Sequence, residues 1–334
     1  MEESAAREQI CETGRELLSS GLVARTWGNV SCRADDSSFL ITPSGLDYNS
    51  TTPDDIARVQ LKDMKWQGRR KPSSEKGVHA AAYEIFPEVG FVIHTHQTCA
   101  SALGLAGFDS MDVSEDELGR LGGIARASYG LPGQKKLRNA VAAAMSTGAR
   151  TVFMVNHGAV ICGTDKADAM AKALLLEEVC RRNLQLGTET DETPDRELAA
   201  KLLTELGGDD ALTAIADASP IVAWANTGLP LRSQLDDMAQ MLGQEVESVE
   251  ADAAAVSRAL QRRDAVLVKG VGAVVRAGSA DDADALKLLL YKAAICALHT
   301  RTLGVDAELG AFDVGLMHLV YKKKYSKQKG KSHG

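Results

Sequence analysis

Apolar and polar residues alternate along the first 186 residues with two periods, one typical of helices and one typical of strands. Residues 4–20 carry apolar side chains at helical spacing, and Gly21 stands where that helix would end. Further helices are predicted at about 75–86, 97–105, 134–147 and 165–186. Short strands are predicted on both sides of a polar turn at 35–38, at 57–61, up to about 97, and at 124–128, 151–155 and 159–162. This mixture of elements predicts an α/β fold.

One buried strand is predicted to end in the sequence Val92-Ile-His-Thr-His-Gln. Side chains alternate between the two faces of a strand, so His94 and His96 project to the same side, about 7 Å apart along the chain. Two imidazoles on one face can bind one metal ion, and imidazole suits Zn, Cu, Fe and Ni. The pair also has a simpler interpretation, in which both are hydrogen-bonded polar residues at the end of a strand.

Two more residues can complete such a metal site. His157 precedes Gly158 after a Val-rich strand, and it would raise the number of imidazoles to three, as is common in catalytic zinc sites with an open position. Glu75 lies in the first turn of a predicted helix, and a carboxylate near a metal can be a fourth ligand or a general base. Alternatively, His157 is an ordinary loop residue and Glu75 a favourable charge at a helix N-terminus. His79, one turn after Glu75, is predicted to pack or to support the ligands.

Three loops of small residues are candidates for holding a phosphate, namely Gly28-Asn29, Thr42-Pro43-Ser44-Gly45 and Ser73-Ser74. They offer hydroxyl, amide or backbone N–H donors, and a helix dipole stands behind the last loop. Taken singly, each loop has the simpler interpretation of a turn. No Walker or dinucleotide glycine pattern occurs, so a nucleotide is not implied.

Composition narrows the classes of function. The net charge of −7 and the aromatic content of 4% argue against a nucleic-acid surface. The N-terminal residues do not have the pattern of a signal peptide, and no run of about 18 apolar residues predicts a membrane span. The six cysteines are scattered without a C-x-x-C pair, which is typical of reduced, buried thiols. We therefore expect a cytoplasmic protein with neither a nucleic-acid nor a membrane partner.

The chain is predicted to divide into two domains and a tail. The polar segment 187–194 is the best linker candidate, which gives a first domain at 1–205 and a second at 206–321. The basic residues 322–334 are expected to form a flexible, disordered tail, with anion binding as a minor alternative.

An internal repeat is predicted within the second domain. Residues 151–163 match 265–277, and each match is followed by a long helix. Residues 91–98 match 221–227 less closely, and on that pairing the three histidines correspond to Trp224, Asn226 and Val271. The second copy is therefore predicted to be a degenerate half-domain without metal ligands.

Five motifs occur in a characteristic order and spacing: Thr26-Trp-Gly-Asn-Val-Ser, Thr42-Pro-Ser-Gly, Pro72-Ser-Ser-Glu, His94-Thr-His and Asn156-His-Gly. In this set the chain resembles the class II aldolase/adducin family, whose enzymes include L-fuculose-phosphate and L-rhamnulose-phosphate aldolases and L-ribulose-phosphate 4-epimerase. The resemblance covers about residues 5–186, and residues 206–334 resemble the later part of the fold only weakly. It implies a three-layer αβα domain with a central, largely antiparallel sheet.

The resemblance also implies roles for individual residues. His94, His96 and His157 would be ligands of one zinc or other divalent metal ion, and Glu75 the acid/base that binds the metal in the resting site. Tyr129 stands where family aldolases have a tyrosine that protonates the aldehyde oxygen in the neighbouring subunit's site. Its surroundings differ from the family's, and a half-buried aromatic at a strand end is the simpler interpretation. The residues that would hold the substrate phosphate are Gly28, Asn29, Ser44, Gly45, Ser73 and Ser74.

The function that the resemblance implies is a metal-dependent aldolase. It would cleave a keto-sugar phosphate of the fuculose, rhamnulose or ribulose type through an enediolate, giving an aldehyde and dihydroxyacetone phosphate or a related fragment. Glu75 suits aldolases and dehydratases, whereas the 4-epimerase has Asp at this position. Epimerase, dehydratase and decarboxylase activities stay open, as do a metal-dependent hydrolase and a non-catalytic, adducin-like assembly protein.

The resemblance finally implies a homo-oligomer. Family aldolases are cyclic tetramers with sites between subunits. A fused second copy could take the place of another subunit, so we expect a dimer of two-unit chains with sites near the subunit interfaces.

Overall fold

The computed structural model describes residues 2–108, 111–187, 192–207 and 212–329. The chain divides into an N-terminal unit, Met1–Asn183, and a C-terminal unit, Leu184–Gly334. This division lies before the predicted boundary at 205/206. Part of the predicted linker, 188–191, and part of the predicted tail, 330–334, lie outside the described residues.

The N-terminal unit alternates helices with short strands. Its helices are Glu3–Ser19 (α1), Lys76–Ile85 (α2), Thr98–Ala106 (α3), Glu115–Leu121 (α4), Lys135–Met145 (α5) and Lys166–Asn183 (α6), with a 3₁₀ turn at Pro53–Asp55. Its strands are Asn29–Asp35 (β1), Ser38–Ile41 (β2), Ala57–Gln60 (β3), Trp66–Gln67 (β4), Phe91–Thr95 (β5), Ile124–Ala127 (β6), Thr151–Met154 (β7) and Gly158–Gly163 (β8). Helix α4 was not predicted, although Ser114 and Glu117 form a capping box at its start.

The eight strands form one sheet in the order β4-β3-β2-β1-β5-β8-β7-β6. Neighbours are antiparallel except for β6 and β7, so the predicted largely antiparallel α/β sheet is confirmed. Strand β5 lies inside the sheet between β1 and β8, and all five of its residues are buried. Its continuous apolar sequence suits a strand that is covered on both faces.

Helices cover the two faces of this sheet. Val152 and Met154 on β7 belong to a core cluster with the apolar side chains of α2 and α5. Phe153, between them, points the other way and packs against Gly104 of α3. Neighbouring residues of a strand face opposite sides of the sheet. Helices α2 and α5 therefore form a layer on one face, and α3 belongs to a layer on the other face. The three-layer arrangement follows.

The C-terminal unit has its own elements. Its helices are Arg196–Leu206 (α7), Ser219–Asn226 (α8), Asp236–Leu242 (α9), Ala253–Leu260 (α10), Ala280–Leu303 (α11) and Ala311–Lys329 (α12). Its strands are Leu212–Ala216 (β9), Leu231–Arg232 (β10), Glu245–Val246 (β11), Ser248–Val249 (β12), Ala265–Val268 (β13) and Gly272–Ala277 (β14). A four-stranded sheet has the order β12-β13-β14-β9, and β10 pairs with β11.

The strand pairing of the two units can be compared directly. Thr151 of β7 pairs with Ile161 of β8. The equivalent residues of the C-terminal unit, Ala265 of β13 and Val275 of β14, pair in the same way. Strand β9 pairs with β14 in the way that β5 pairs with β8. The predicted relation of 151–163 to 265–277 therefore has a counterpart in the hydrogen-bond register, and common descent of the two units stays a prediction.

The second part of the predicted repeat is wrong. Residues 221–226 lie in helix α8, which begins with a Ser-Pro pair at its first turn, and do not form a strand like β5. In the observed register Ala216 corresponds to Thr95, because both pair with the second residue of the next strand. The positions that correspond to the three histidines are therefore Ile215, Asp217 and Val271, and not Trp224, Asn226 and Val271.

The predicted disordered tail also needs correction. Helix α12 continues through residues 322–329. Lysine and glutamine are good helix formers, and no Gly or Pro occurs between 316 and 329 to stop the helix.

Among the described residues, no helix is both long enough and apolar enough to cross a membrane.

Candidate metal centre

Three histidine side chains converge at the end of β5. His94 is in β5, His96 follows it, and His157 lies in the turn between β7 and β8. The Nε2 atom of His94 lies 3.0 Å from Nε2 of His96 and 3.0 Å from Nε2 of His157. All three side chains are buried. They meet because the last residues of β5 are antiparallel neighbours of the first residues of β8.

The turn that carries His157 has an unusual backbone. Asn156 has a φ of 61°, in the left-handed region that Asn tolerates better than most residues. A Cβ atom on Gly158 would lie 2.1 Å from the carbonyl oxygen of Thr95. Glycine is therefore required where β8 begins, and this close approach holds His157 beside the histidines of β5.

The geometry of the histidine cluster fits a divalent metal ion. His94 donates from Nδ1 to the carbonyl oxygen of Ala159 at 2.9 Å, so Nε2 is the ring nitrogen that is left to face a metal ion. Tetrahedral zinc with Zn–N bonds of 2.0–2.1 Å holds its nitrogen ligands about 3.3 Å apart, close to the 3.0 Å separations seen here. In the part of the chain that the structure describes, this is the one group of three or more potential metal ligands that lie together.

A carboxylate completes the cluster. Glu75 Oε1 lies 3.0 Å from His157 Nε2, and Glu75 Oε2 lies 3.3 Å from His94 Nε2. The Oε1 atom is buried and accepts no hydrogen bond of normal geometry, as expected of an oxygen that faces a cation. Burial raises the pKa of Glu75, but the imidazoles of His94 and His157 lower it more, so the pKa lies well below its usual range. The group is therefore a carboxylate.

Glu75 is the residue that precedes the first turn of α2, one position earlier than predicted. The backbone N–H of Glu75 donates to Ser73 Oγ at 3.2 Å. The serine thus fixes the approach to the helix, while the carboxylate turns away from the helix toward the histidines.

The predicted phosphate loops lie side by side next to Glu75. The backbone N–H of Thr42 donates to the carbonyl of Val30 at 3.0 Å, and Ser73 N–H donates to the carbonyl of Thr42 at 3.0 Å. Ser44 N–H donates to the carbonyl of Lys71 at 2.9 Å. These bonds connect the three loops at 28–30, 42–45 and 71–74 in one layer. Ser74 is exposed at its edge.

Gly28 has a structural role that the sequence did not reveal. Its φ is 83°, and a Cβ atom there would lie 2.6 Å from the carbonyl oxygen of His94. The first loop can therefore approach the metal-ligand strand only with glycine at this position. Gly45 also has a positive φ, 69°, at the end of the second loop.

The similarity of the chain to known proteins can now be stated. A family model described as Class II Aldolase and Adducin N-terminal domain matches residues 8–184, more than half of the chain. The chain belongs to the class II aldolase/adducin family. The matched residues cover almost the whole N-terminal unit.

Three curated relatives catalyse different reactions according to their names. The L-ribulose-5-phosphate 4-epimerase UlaF of Salmonella typhi is 28% identical over 194 residues, which are 52% of this chain and 82% of the relative. The 5-deoxy-D-ribulose 1-phosphate aldolase of Bacillus thuringiensis serovar kurstaki is 32% identical over 155 residues, 46% of this chain and 72% of the relative. The 3-oxo-tetronate 4-phosphate decarboxylase of Escherichia coli K12 is 29% identical over 209 residues, 61% of this chain and 96% of the relative.

A solved structure of L-fuculose 1-phosphate aldolase has a similar fold. It superimposes with a TM-score of 0.51 and 26% identity, and covers 55% of this chain and 86% of its own. Like the family match, this similarity corresponds to the N-terminal unit in extent.

Tyr129, the tyrosine that the aldolase family resemblance singles out, is half-buried in the segment between β6 and α5. The same segment contains Gly133, where a Cβ atom would lie 3.1 Å from Cβ of Ser74. The tyrosine thus belongs to a segment that packs against the phosphate loops.

Two residues outside the predicted site set, Trp27 and Glu177, support the segment that carries His96. The rings of Trp27 and His96 are stacked nearly parallel, with their centroids 6.5 Å apart. The buried Glu177 on α6 accepts hydrogen bonds from the backbone N–H groups of Cys99 at 2.8 Å and Ala100 at 3.1 Å. It caps helix α3 directly after His96. No local pattern predicts this contact, because Glu177 is distant in sequence.

Proposed function

We propose that the chain is a metal-dependent aldolase that cleaves the carbon–carbon bond of a keto-sugar phosphate. The observation that carries the proposal is the position of the buried Glu75 carboxylate. Its oxygens lie 3.0 Å from Nε2 of His157 and 3.3 Å from Nε2 of His94, and it stands next to three loops rich in hydrogen-bond donors. The names of the relatives, which act on pentulose or related phosphates, support this class of substrate.

The proposed cofactor is one zinc ion per chain, bound by His94, His96 and His157, although another divalent metal would suit the imidazoles. When bound, it would supply the Lewis acid that polarises a hydroxy-ketone and stabilises the negative charge left by bond cleavage.

The residues of the chain would divide the remaining work. The loops at Gly28-Asn29, Ser44-Gly45 and Ser73-Ser74 would orient the phosphate through serine hydroxyls and through backbone N–H groups other than those of Ser44 and Ser73, which donate to carbonyl oxygens. Glu75 would carry a proton to or from the carbon next to the carbonyl, because it is ionised and lies beside the histidines. Tyr129 would serve the aldehyde oxygen.

Three alternative activities, epimerase, decarboxylase and dehydratase, would use the same scaffold. Epimerisation and decarboxylation are each supported by the name of a relative, and the decarboxylase is matched over 96% of its length. Both would need the same stabilised anion. A dehydratase would also use Glu75. A non-catalytic, adducin-like role would not account for a buried carboxylate that lies against His94 and His157 of the histidine cluster.

The decisive experiment is a substrate screen with wild-type protein and the Glu75→Gln variant, both loaded with zinc. We expect the wild type to release an aldehyde from a ketose phosphate, and the variant to keep zinc but lose about 10²–10⁴-fold in turnover. Glu84→Gln, an exposed carboxylate on α2, is the matched control. Carbon dioxide release or inversion at one carbon without cleavage would favour the decarboxylase or epimerase. Full activity in Glu75→Gln would remove Glu75 from the mechanism.

We further propose a homo-oligomer with sites near subunit interfaces, formed as a dimer of two-unit chains. A sedimentation mass of four chains would contradict this.

The six cysteines are all buried and none forms a disulfide, which suits the proposed cytoplasmic location.

A further inference from the structure

A continuous chain of buried hydrogen bonds runs from Glu75 into the core. Asn29 Nδ2 donates to Glu75 Oε2 at 2.9 Å, and Asn29 Oδ1 contacts His79 Nε2. His79 Nδ1 lies 2.6 Å from Ser31 Oγ, which lies 2.7 Å from the hydroxyl of Tyr83. Each of these five residues is at least nine-tenths buried.

We propose that His79 is a positioning residue, which fixes the amide of Asn29 so that its N–H group holds the Glu75 carboxylate in place for proton transfer. This inference rests on the proposed function, because it takes Glu75 to be the acid/base. It also gives Asn29 a different role from the predicted phosphate contact.

The orientation of the Asn29 amide follows from its neighbours. A reversed amide would place Oδ1 against the Glu75 carboxylate, so that two acceptors would meet in a buried site, which is costly. With Nδ2 facing Glu75, Oδ1 faces His79, and an amide oxygen can only accept. Nε2 of His79 must therefore carry a proton.

The remaining protons then have fixed places. Burial, together with the nearby His94, lowers the pKa of His79 to about 3, so the imidazole is neutral and its Nδ1 accepts. Ser31 must donate its single hydroxyl proton to Nδ1, and its oxygen accepts from Tyr83. Every donor in the chain thus points toward Glu75. Hydrogen bonds aligned in this way polarise and strengthen one another.

Such a chain does more than fill space. The carboxylate faces His157 with Oε1, whereas its second oxygen, Oε2, accepts the Asn29 N–H and lies 3.3 Å from Nε2 of His94. A donor on the second oxygen fixes the rotation of the carboxylate, and it stabilises the ionised form that accepts a proton. Loss of the His79 donor would free the amide to turn and would remove this control, while the three histidine ligands would stay in place.

The first test reads the position of the proton without any substrate. Full-length, zinc-loaded protein labelled with ¹⁵N in histidine should show His79 as a neutral imidazole protonated on Nε2, unchanged between about pH 6 and 8. The His79→Gln variant identifies its resonances. A proton on Nδ1, or on both nitrogens, would overturn the proposal.

The second test compares two substitutions of His79. His79→Met removes the N–H donor and should lower kcat by about 10–100-fold with zinc content and KM little changed. His79→Gln keeps an N–H donor and should recover part of the loss. Glu84→Gln, the exposed carboxylate on α2 that lies outside the chain, serves as the control. Equal losses in both His79 variants, or full kcat in a folded His79→Met protein, would contradict the positioning role.

The two proposals fail in different ways. Wild-type protein that shows the expected His79 tautomer but turns over no sugar phosphate would refute the aldolase assignment alone. An active wild type with the other tautomer would refute the positioning role alone. If His79→Met does not fold, the tautomer of the wild-type protein still decides.

Discussion

The Oε1 atom of Glu75 lies 3.0 Å from Nε2 of His157, and it accepts no hydrogen bond of normal geometry although it is buried. This contact joins the start of α2 to the turn between β7 and β8. The acid/base candidate and a metal-ligand candidate therefore meet across two parts of the fold.

Removal of one histidine should abolish metal binding. We expect about one zinc per wild-type chain and much less in His94→Ala, because two remaining imidazoles make a poor site. The half-buried His318 of the C-terminal unit, changed to Ala, should leave the zinc content unchanged. Metal analysis after gel filtration measures the difference. Equal zinc in His94→Ala and the wild type would place the metal elsewhere.

Removal of the bound metal should also lower stability. A ligand that binds the folded state alone adds about 2.7 kcal/mol at a concentration 100 times its Kd. In thermal unfolding, a chelator should therefore lower the melting temperature of the wild type. The melting temperature of His94→Ala should respond much less.

Substitution of Ser74 should weaken substrate binding more than it slows turnover. Ser74 is the exposed member of the predicted phosphate loops, so Ser74→Ala should raise KM for a sugar phosphate about 10-fold, as expected for a lost hydrogen bond to a charged group. Ser19→Ala, at the exposed end of α1, is the control. An unchanged KM would show that the serine hydroxyl does not hold the phosphate.

A methyl group at Gly158 should destabilise the fold. The added Cβ atom would lie 2.1 Å from the carbonyl oxygen of Thr95, and we expect a loss of about 1–3 kcal/mol in the free energy of unfolding. Gly119→Ala in α4 meets no atom within 4 Å and should be neutral or stabilising by up to about 1 kcal/mol. Urea titration compares them. An equal free energy of unfolding for Gly158→Ala and the wild type would mean that the turn relaxes freely.

The neutral His79 should make stability depend on pH. Its pKa falls from 6.5 to about 3 on folding, so below pH 6.5 the unfolded state binds a proton that the folded state does not. Stability from this group is therefore complete above pH 6.5 and is lost as the pH falls toward 3, with a slope of at most about 1.4 kcal/mol per pH unit. His79→Gln should lack this part of the slope in urea titrations between pH 4 and 7. The same slope in both proteins would show that His79 titrates normally.

Local patterns were sufficient for most elements of the N-terminal unit, though not for helix α4 or strand β4, and they did not reveal the environment of these elements. The strand at 91–95 and the turn at 156–158 were predicted because apolar runs and glycines report directly on backbone conformation. Residues 221–227 were matched to the strand segment 91–98, yet 221–226 form helix α8, because a short apolar run has no period that separates a strand from a helix. The register of β9 against β14, which the sequence does not show, corrected that assignment.

The sequence by itself determined which side chains are available for chemistry: His94, His96, His157 and Glu75 stand in motifs whose residue types suit a divalent metal and a base. The tertiary structure alone decided how the buried polar groups pair. Asn29 was assigned to phosphate, whereas the fold joins it to Glu75 by a hydrogen bond; His79 was predicted to pack or support, and only the fold shows that it does so through Asn29. Such pairing depends on contacts between β1 and α2, elements that are far apart in sequence, so no local period could reveal it.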